Sequence, residues 1–485
     1  MRPIVQEIAT SHSPASLARR LRDAPGLVLL HSAALDFPQA RYSFVTARPY
    51  LTLRTWGSRG VTSTPAGEVR VHFGNPWHLL DALMARYEVL DEVDLPFPLG
   101  GCFGFWGYDL NRFTEPRRSR RPLDDLELPD CQAGFHDSLV VFDHHLGRVS
   151  VISTGLRPDG SRDEARAVEA LEGWRRLLEE DPDLTATPDL PGSAGAADRP
   201  APAPVSTFSR AGFLAAVERA RRYIHQGDIY QVNLAQRLSV PAVMGGWDFY
   251  ERLAAVSPAP FAAYVAGDGF QLACSSPELF LRLSGSHATT RPIKGTRPRS
   301  ADPTRDAQLS YELQTSAKEM SELVMITDLL RNDLGRVCEY GSVQVPELVR
   351  LERHPQVQHL VSTVEGRLRP GVTHGEAFAR CFPGGSITGA PKIRAMEIID
   401  ELEPVTRGPY TGCLGYLGFN RESQLNIAIR TAVCRADRIH FHAGAGIVAD
   451  SSPEAEHEET LAKAAGFLAA AGAGRGVPQA AGGRA

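Results

Sequence analysis

Long apolar runs are missing from this chain: no stretch approaches the ~20 consecutive apolar residues of a membrane span, and the opening MRPIVQEIATSHSPASLARR holds no apolar core of the length a secretory signal needs. Cysteine is sparse. The seven residues (Cys102, Cys131, Cys274, Cys338, Cys381, Cys413, Cys434) are scattered, odd in number and nowhere spaced C-x-x-C. That excludes a disulfide framework and a zinc finger, and reads as reduced core thiols in a cytoplasmic protein. An excess of basic charge is also absent. Lys plus Arg total 52 against 57 Asp plus Glu, a formal charge of −5, so the electrostatic footprint of nucleic-acid binding is not there. What is present is an ordinary globular mix, 43% apolar and 22% charged, over 485 residues. At ~150 residues per domain the length alone suggests about three domains.

One composition break divides the chain. Residues 181–207 are rich in Pro, Ala and Gly and almost empty of large apolar side chains, so they are expected to form an exposed linker or long loop. Residues 471–485 read as a frayed tail for the same reason. Within residues 1–180, Leu27–Leu30, Tyr42–Val45 and Ser138–Phe142 read as strands bounded by Pro, Gly and Asp. The run Gly100–Leu110 reads as a buried strand where backbones approach closely. Over residues 208–470 the helical spacing is clearer. Ser209 caps a helix with Phe213, Val217, Ala220 and Ile224 inward and Gly227 as its stop. A second helix is expected over Thr315–Leu330 with Ala317, Met320, Val324 and Thr327 inward. A third starts at Pro391 with Ala395, Ile398, Ile399 and Leu402 on one face, and a fourth opens with Ser452 and Pro453. Tyr230–Leu234, Leu272–Ser275, Gln424–Val433 and Arg438–His442 read as strands. The mixture predicts an α/β or α+β architecture.

Two helices carry the same device. Glu319 and Glu322 stand three apart, as do Glu456 and Glu459, with Lys463 four further on. Such spacing puts each pair on one helix face. The pairs are either solvated surface or, brought together, a site whose mutual repulsion a hard divalent cation such as Mg²⁺ relieves. Lys294 lies between Arg291 and Arg297; it is either part of an exposed basic loop or an amine made nucleophilic by neighbouring cations and burial. CFPGGSITGAPK, which includes Ser386, suits an anion or a simple cap. Gly444 and Gly446 could bring backbone amides to a carboxylate, and Tyr410 and Arg430 sit in strand-like surroundings where an inward Arg needs an anion. His359 and Glu278 are unremarkable by spacing alone.

Taken together, the strings SPELF, PIKGTR, AKEMSELVMITDLLRNDLGRV, VQHLVSTVEG, FPGGSITGAPK, LNIAIRT and FHAGAGIVADSSPEAEHEET, in this order across residues 275–460, resemble the chorismate-utilising enzymes. That family includes anthranilate synthase large subunits, aminodeoxychorismate synthase component I, and isochorismate and salicylate synthases. LLHSA at Leu29–Ala33 and ARYSF at Ala40–Phe44 extend the resemblance, more loosely, to the N-terminal part. The resemblance implies a fold of two interlocked subdomains, β-sheets flanked by helices. Water-adding members have a lysine where this chain has Gln231, which points to ammonia as nucleophile. PIKGT, with Lys294, is similar to the members that aminate C4 of chorismate, whereas anthranilate synthases typically read IAGT.

The roles implied by the resemblance follow residue by residue. Lys294 attacks C2 and Glu278 protonates the departing C4 hydroxyl; Mg²⁺ is held chiefly by Glu322 and Glu459, with Glu319 and Glu456 nearby. Tyr410, Arg430, Gly444 and Gly446 hold the enolpyruvyl carboxylate, and Thr296, His359, Ser386 and Lys463 line the site. Ammonia is expected from a separate glutamine amidotransferase subunit, since no G-x-C-x-G string is present. A tryptophan site in the family corresponds here to Ser32 and Tyr42 with Pro258 and Phe261, but His31 stands in place of a glutamate. The alternatives are anthranilate synthase component I and a non-catalytic chorismate-binding subunit.

Overall fold

A computed structural model describes residues 2–37, 39–89, 94–115, 122–182, 203–354, 357–473 and 479–480. Its framework is two large, mainly antiparallel sheets, and each takes strands from both sides of the composition break. In the first sheet, Ile4–Glu7, Arg148–Ser153, Ser138–Asp143, Tyr42–Thr46 and Val28–His31 lead directly into Phe261–Ala266, Phe270–Ser276, Thr431–Arg435, Arg438–Ile447 and Gln231–Pro241. The seam is antiparallel, with Leu30 opposite Ala263. In the second sheet, Ile293–Pro298, Val357–Arg367, His287–Arg291, Leu279–Ser284, Glu422–Asn426 and Cys413–Gly418 continue into Gly101–Trp106, Cys131–His136, Leu51–Trp56, Arg59–Ser63 and Val69–Phe73. There Leu414 faces Phe105 across the seam.

Close approach explains the glycines of GGCFGFW. A Cβ on Gly104 would stand 2.2 Å from the Gln132 carbonyl oxygen, so the all-buried strand Gly101–Trp106 can lie between two neighbours only without a side chain there. The faces of the two sheets meet over Val28, Phe44, Phe103, Phe105, Val141, Val265, Leu272, Leu414 and Tyr416, drawn from both halves of the chain. This is the interlocked α+β fold that the resemblance implies.

The helices settle onto this framework with two corrections. Residues 303–315 form a helix of their own (Pro303–Thr315), capped by Asp302, and Ser316 ends it while capping the next, Ala317–Gly335. The buried stripe of the second helix is Leu323, Ile326, Thr327, Leu330 and Leu334, whereas Val324, expected inward, is exposed. AKEMSELVMITDLL is apolar on more than one face, so periodicity could not fix its phase. Pro391 is the cap rather than the first residue of Lys392–Leu402. The helices Arg210–His225, capped by Ser209, and Pro453–Ala470 fall as expected.

Two strand readings also change. Gln424–Val433 is two strands in different sheets, Glu422–Asn426 and Thr431–Arg435. The strand Arg438–His442 continues to Ile447 and takes in both Gly444 and Gly446. Most of the expected linker, 183–202, lies outside the described residues. Its end, Val205–Ser206, joins the first sheet, and part of the tail expected to fray, Gln479–Ala480, pairs with it in parallel.

Candidate active site

Ile293–Pro298 pairs with Val357–Arg367 in the second sheet, and Gln344–Arg353 also pairs with that strand. The register of Ile293–Pro298 slips at Gly295, which adopts φ +62°, a conformation that favours glycine. A Cβ at Gly295 would lie 2.6 Å from Leu313 and 3.1 Å from a Glu319 carboxylate oxygen, so the bare position lets the first turn of Ala317–Gly335 come against the strand. That contact brings Glu322 Oε2 to 3.9 Å from Lys294 Nζ and Glu319 to 3.5 Å from Arg297. The expectation of Lys294 among cations is corrected here: Arg291 turns to Glu352, 2.5 Å away, and the charged groups beside Lys294 are the carboxylates of Glu322 and Glu278.

Glu278 is only 6% exposed. Burial pushes its carboxyl above the ordinary range, against a hydrogen bond with Ser386, the Lys294 charge and the Ile293 amide. Ser386 stands on the short 3₁₀ turn Gly385–Ile387. The segment leading to that turn is tied down by buried Lys392, whose Nζ donates to Asp333 Oδ2 (2.6 Å), Cys381 O (3.1 Å) and Pro383 O (2.9 Å).

The two glutamate pairs do face one another. Burial raises the Glu322 pKa; Lys294 and Lys318 oppose the rise, while Glu319 and Glu459 add to it. Burial also raises Glu456, which accepts from Ser451 at 2.6 Å and feels Glu459. Lys463 bridges Glu459 (2.7 Å) and the Gly444 carbonyl (2.9 Å). Among the described residues no three of the His, Cys, Asp and Glu side chains form a ready-made metal cage. The donors of this cluster are all carboxylate oxygens, crowded enough that Glu319 and Glu459 add to the rise at Glu322, and Glu459 to that at Glu456. That set suits magnesium, which takes one or two carboxylates directly and keeps several waters.

Two residues along the strand from Lys294, Thr296 Oγ1 and His359 Nδ1 of the paired strand are 2.9 Å apart. Burial, then the charges of His354 and Arg430, push His359 down to about 4, so at neutral pH it is an uncharged imidazole. Arg430 follows the break between the two strands 422–426 and 431–435, at φ +48°. Protein encloses it enough to lower its pKa, yet its side chain stays open to solvent, and no carboxylate pairs with it among the described residues. An enclosed, accessible, unpaired cation is what an anionic ligand requires.

Tyr410 is buried and stacked on His442 at 5.0 Å; burial raises its phenol to about 12, and it shares a hydrogen bond with Asn233. A Cβ on Gly444 would come within 2.9 Å of both the Tyr410 hydroxyl and Asn233 Oδ1, and one on Gly446 within 2.8 Å of Gln231 Nε2. These glycines therefore make room for side chains from the neighbouring strand. Gln231 is 1% exposed, and its Oε1 has no hydrogen-bond partner among the described residues.

The residues matched to the family's tryptophan site lie elsewhere. Ser32, Tyr42 and Phe261 line a small crevice together with His31, Pro260 and Asn426; Pro258 is not part of its lining. Ser32 already donates to Tyr42 O at 2.8 Å and His31 is bonded to the Tyr250 hydroxyl at 3.0 Å.

Sequence reasoning missed Lys318, Lys392 and Asn233. A signal for the first two was available: only four of the 52 basic residues are lysine. All four stand in this site or directly beneath it.

Comparison with known proteins agrees with this geometry. The sequence pattern of the chorismate binding enzymes matches residues 33–469. The chain is 40% identical over 467 residues to anthranilate synthase component 1 of Thermus thermophilus, covering 96% of each. It is 38% identical over 438 residues to aminodeoxychorismate synthase component 1 of Bacillus subtilis, covering 90% of each. Anthranilate synthase component I from Streptococcus pneumoniae superimposes with a TM-score of 0.76 at 32% identity, over 89% of this chain and 92% of that one.

Proposed function

The chain belongs to the chorismate binding enzyme family, and on that footing we propose that it is the component that aminates chorismate at C4, giving 4-amino-4-deoxychorismate. The observation that carries this reading is Lys294: a lysine amine enclosed with the acid Glu278 and 3.9 Å from Glu322, at a point where one group can attack carbon and another deliver a proton. Glu322 and Glu459, with Glu319 and Glu456, would hold a magnesium ion, which when bound offsets the negative charge of a substrate carboxylate. Arg430 and Tyr410 suit the second carboxylate.

In this scheme the neutral Lys294 amine forms a bond to C2, both ring double bonds shift by one position, and the C4–O bond breaks. Protonated Glu278 supplies the hydrogen with which the hydroxyl leaves as water. Ammonia then bonds to C4, both double bonds return to their starting places, and the C2–N bond to Lys294 breaks. The surplus proton of the new C4 ammonium restores Glu278. The net change is chorismate plus ammonia to aminodeoxychorismate plus water. Gln231, with an unpartnered carbonyl oxygen beside the site, suits an ammonia that donates hydrogen bonds, and its amide cannot act as a base toward water.

Ammonia in this reading comes from a separate glutamine amidotransferase, in keeping with relatives named as component 1. A second reading, amination at C2 with release of pyruvate, is favoured by the anthranilate synthase relatives of similar identity. Chromatography of products from chorismate, Mg²⁺ and ammonium separates the two: aminodeoxychorismate supports C4 amination, anthranilate with pyruvate overturns it. The isolated chain is expected to use ammonium and not glutamine. Lys294→Ala is expected to abolish C4 amination and the lysine adduct seen by intact mass; wild-type turnover by that variant would refute the covalent route.

A further inference from the structure

We propose that Arg407 is a positioning residue for substrate binding, its guanidinium coupling the Ser386 turn to Tyr410. The inference rests on the reading above in taking chorismate as the ligand, but on neither choice of product.

Arg407 is 2% exposed, and each of its five N–H donors has an acceptor. Nε donates to Glu403 Oε2 (2.9 Å), Nη1 to Ile387 O (3.0 Å) and Thr411 Oγ1 (3.2 Å), and Nη2 to Glu403 Oε1 (2.6 Å) and Asn233 O (2.7 Å). Ile387 directly follows Ser386, so the carbonyl held by Arg407 belongs to the turn that presents Ser386 to Glu278. Thr411 directly follows Tyr410. It adopts φ +61°, a region that a β-branched residue resists, and its hydroxyl donates to Tyr410 O at 2.5 Å.

Asn233 closes the circuit. Its carbonyl accepts from Arg407, its Nδ2 donates to Ile387 O at 3.1 Å, and its side chain hydrogen-bonds the Tyr410 phenol. The guanidinium also lies 5.7 Å from the Tyr410 ring centre and 4.8 Å from that of Tyr108. A planar fork with donors on three sides can satisfy all these acceptors at once; a lysine ammonium, with three donors and no plane, cannot. Arg407 faces no solvent, so it acts through Tyr410 and Ser386 rather than on substrate.

The test is the equilibrium affinity for chorismate, measured by calorimetry on the full chain with Mg²⁺ present. Arg407→Lys is expected to weaken binding by about tenfold or more. In combination with Tyr410→Phe it should weaken binding no further than the stronger single variant, because Tyr410→Phe removes the hydroxyl that Arg407 holds in place through Asn233 and Thr411. If Arg407→Lys does not fold, Glu403→Gln, which keeps the volume and loosens the fork, is expected to show the same direction and the same non-additivity. Unchanged affinity, or losses that add with Tyr410→Phe, in whichever variant folds, would overturn the proposal. Wild-type protein that binds no chorismate would instead sink the functional reading.

Discussion

At the scale of single residues, the site is a set of charges whose behaviour is dictated by what surrounds them. A lysine in an arginine-dominated chain marks a place where a single compact nitrogen fits: Lys294 beside Glu322, Lys463 between Glu459 and the Gly444 carbonyl, Lys392 among three oxygen acceptors. A lysine brings its donors together on one nitrogen, whereas a guanidinium spreads them over a planar fork. His359 shows the opposite pressure, since burial beside Arg430 disfavours its charge and holds its pKa at about 4. The unfolded imidazole takes up its proton near 6.5. Between those values the unfolded chain binds the extra proton, so the contribution of His359 to stability falls as pH falls from about 6.5 to about 4. Denaturant titrations of wild type and His359→Gln are therefore expected to diverge over that window. The variant should gain on the order of 3 kcal/mol relative to wild type at the acid end; a difference independent of pH would show that His359 is not held neutral.

At the scale of elements, local signals located the helices better than they oriented them. Ser209, whose hydroxyl accepts from the Gly212 amide, and Pro453, which suits a first helical turn, marked true starts because both signals depend only on adjacent backbone geometry. The phase of Ala317–Gly335 was not legible, because Leu323 and Val324 are equally apolar and only the packing partner distinguishes them. Leu323 is fully buried among Leu313 and Leu360, and Val324 is 43% exposed. Leu323→Ala is expected to cost about 2–5 kcal/mol and Val324→Ala less than about 1 kcal/mol, read from chemical denaturation. Equal losses would mean that the helix is rotated. The split of residues 424–433 was equally hidden: the break depends on two sheets competing for one segment, with Arg430 in a left-handed conformation as the chain passes between them.

At the scale of the whole molecule, the two halves are not separable bodies. Each sheet has a seam, Val28–His31 against Phe261–Ala266 and Gly101–Trp106 against Cys413–Gly418, and the core between the sheets takes side chains from both halves. A fragment beginning at residue 208 would expose two long strand edges and an apolar sheet face. We expect it to be insoluble alone and to recover when coexpressed with residues 1–207; a soluble fragment with a cooperative thermal transition would argue for an independent catalytic domain. The sequence by itself determined the chemistry of the site, because carboxylate, amine and hydroxyl groups keep their character wherever they are placed, and their order along the chain matched a family. Only the tertiary structure decided which groups meet. The bulge at Gly295 brings Glu319 and Glu322 to the Lys294 strand, the seams join the halves, and Arg407 gathers Ser386, Asn233 and Tyr410 from three distant segments. Such meetings depend on long-range packing, which no local pattern of residues encodes.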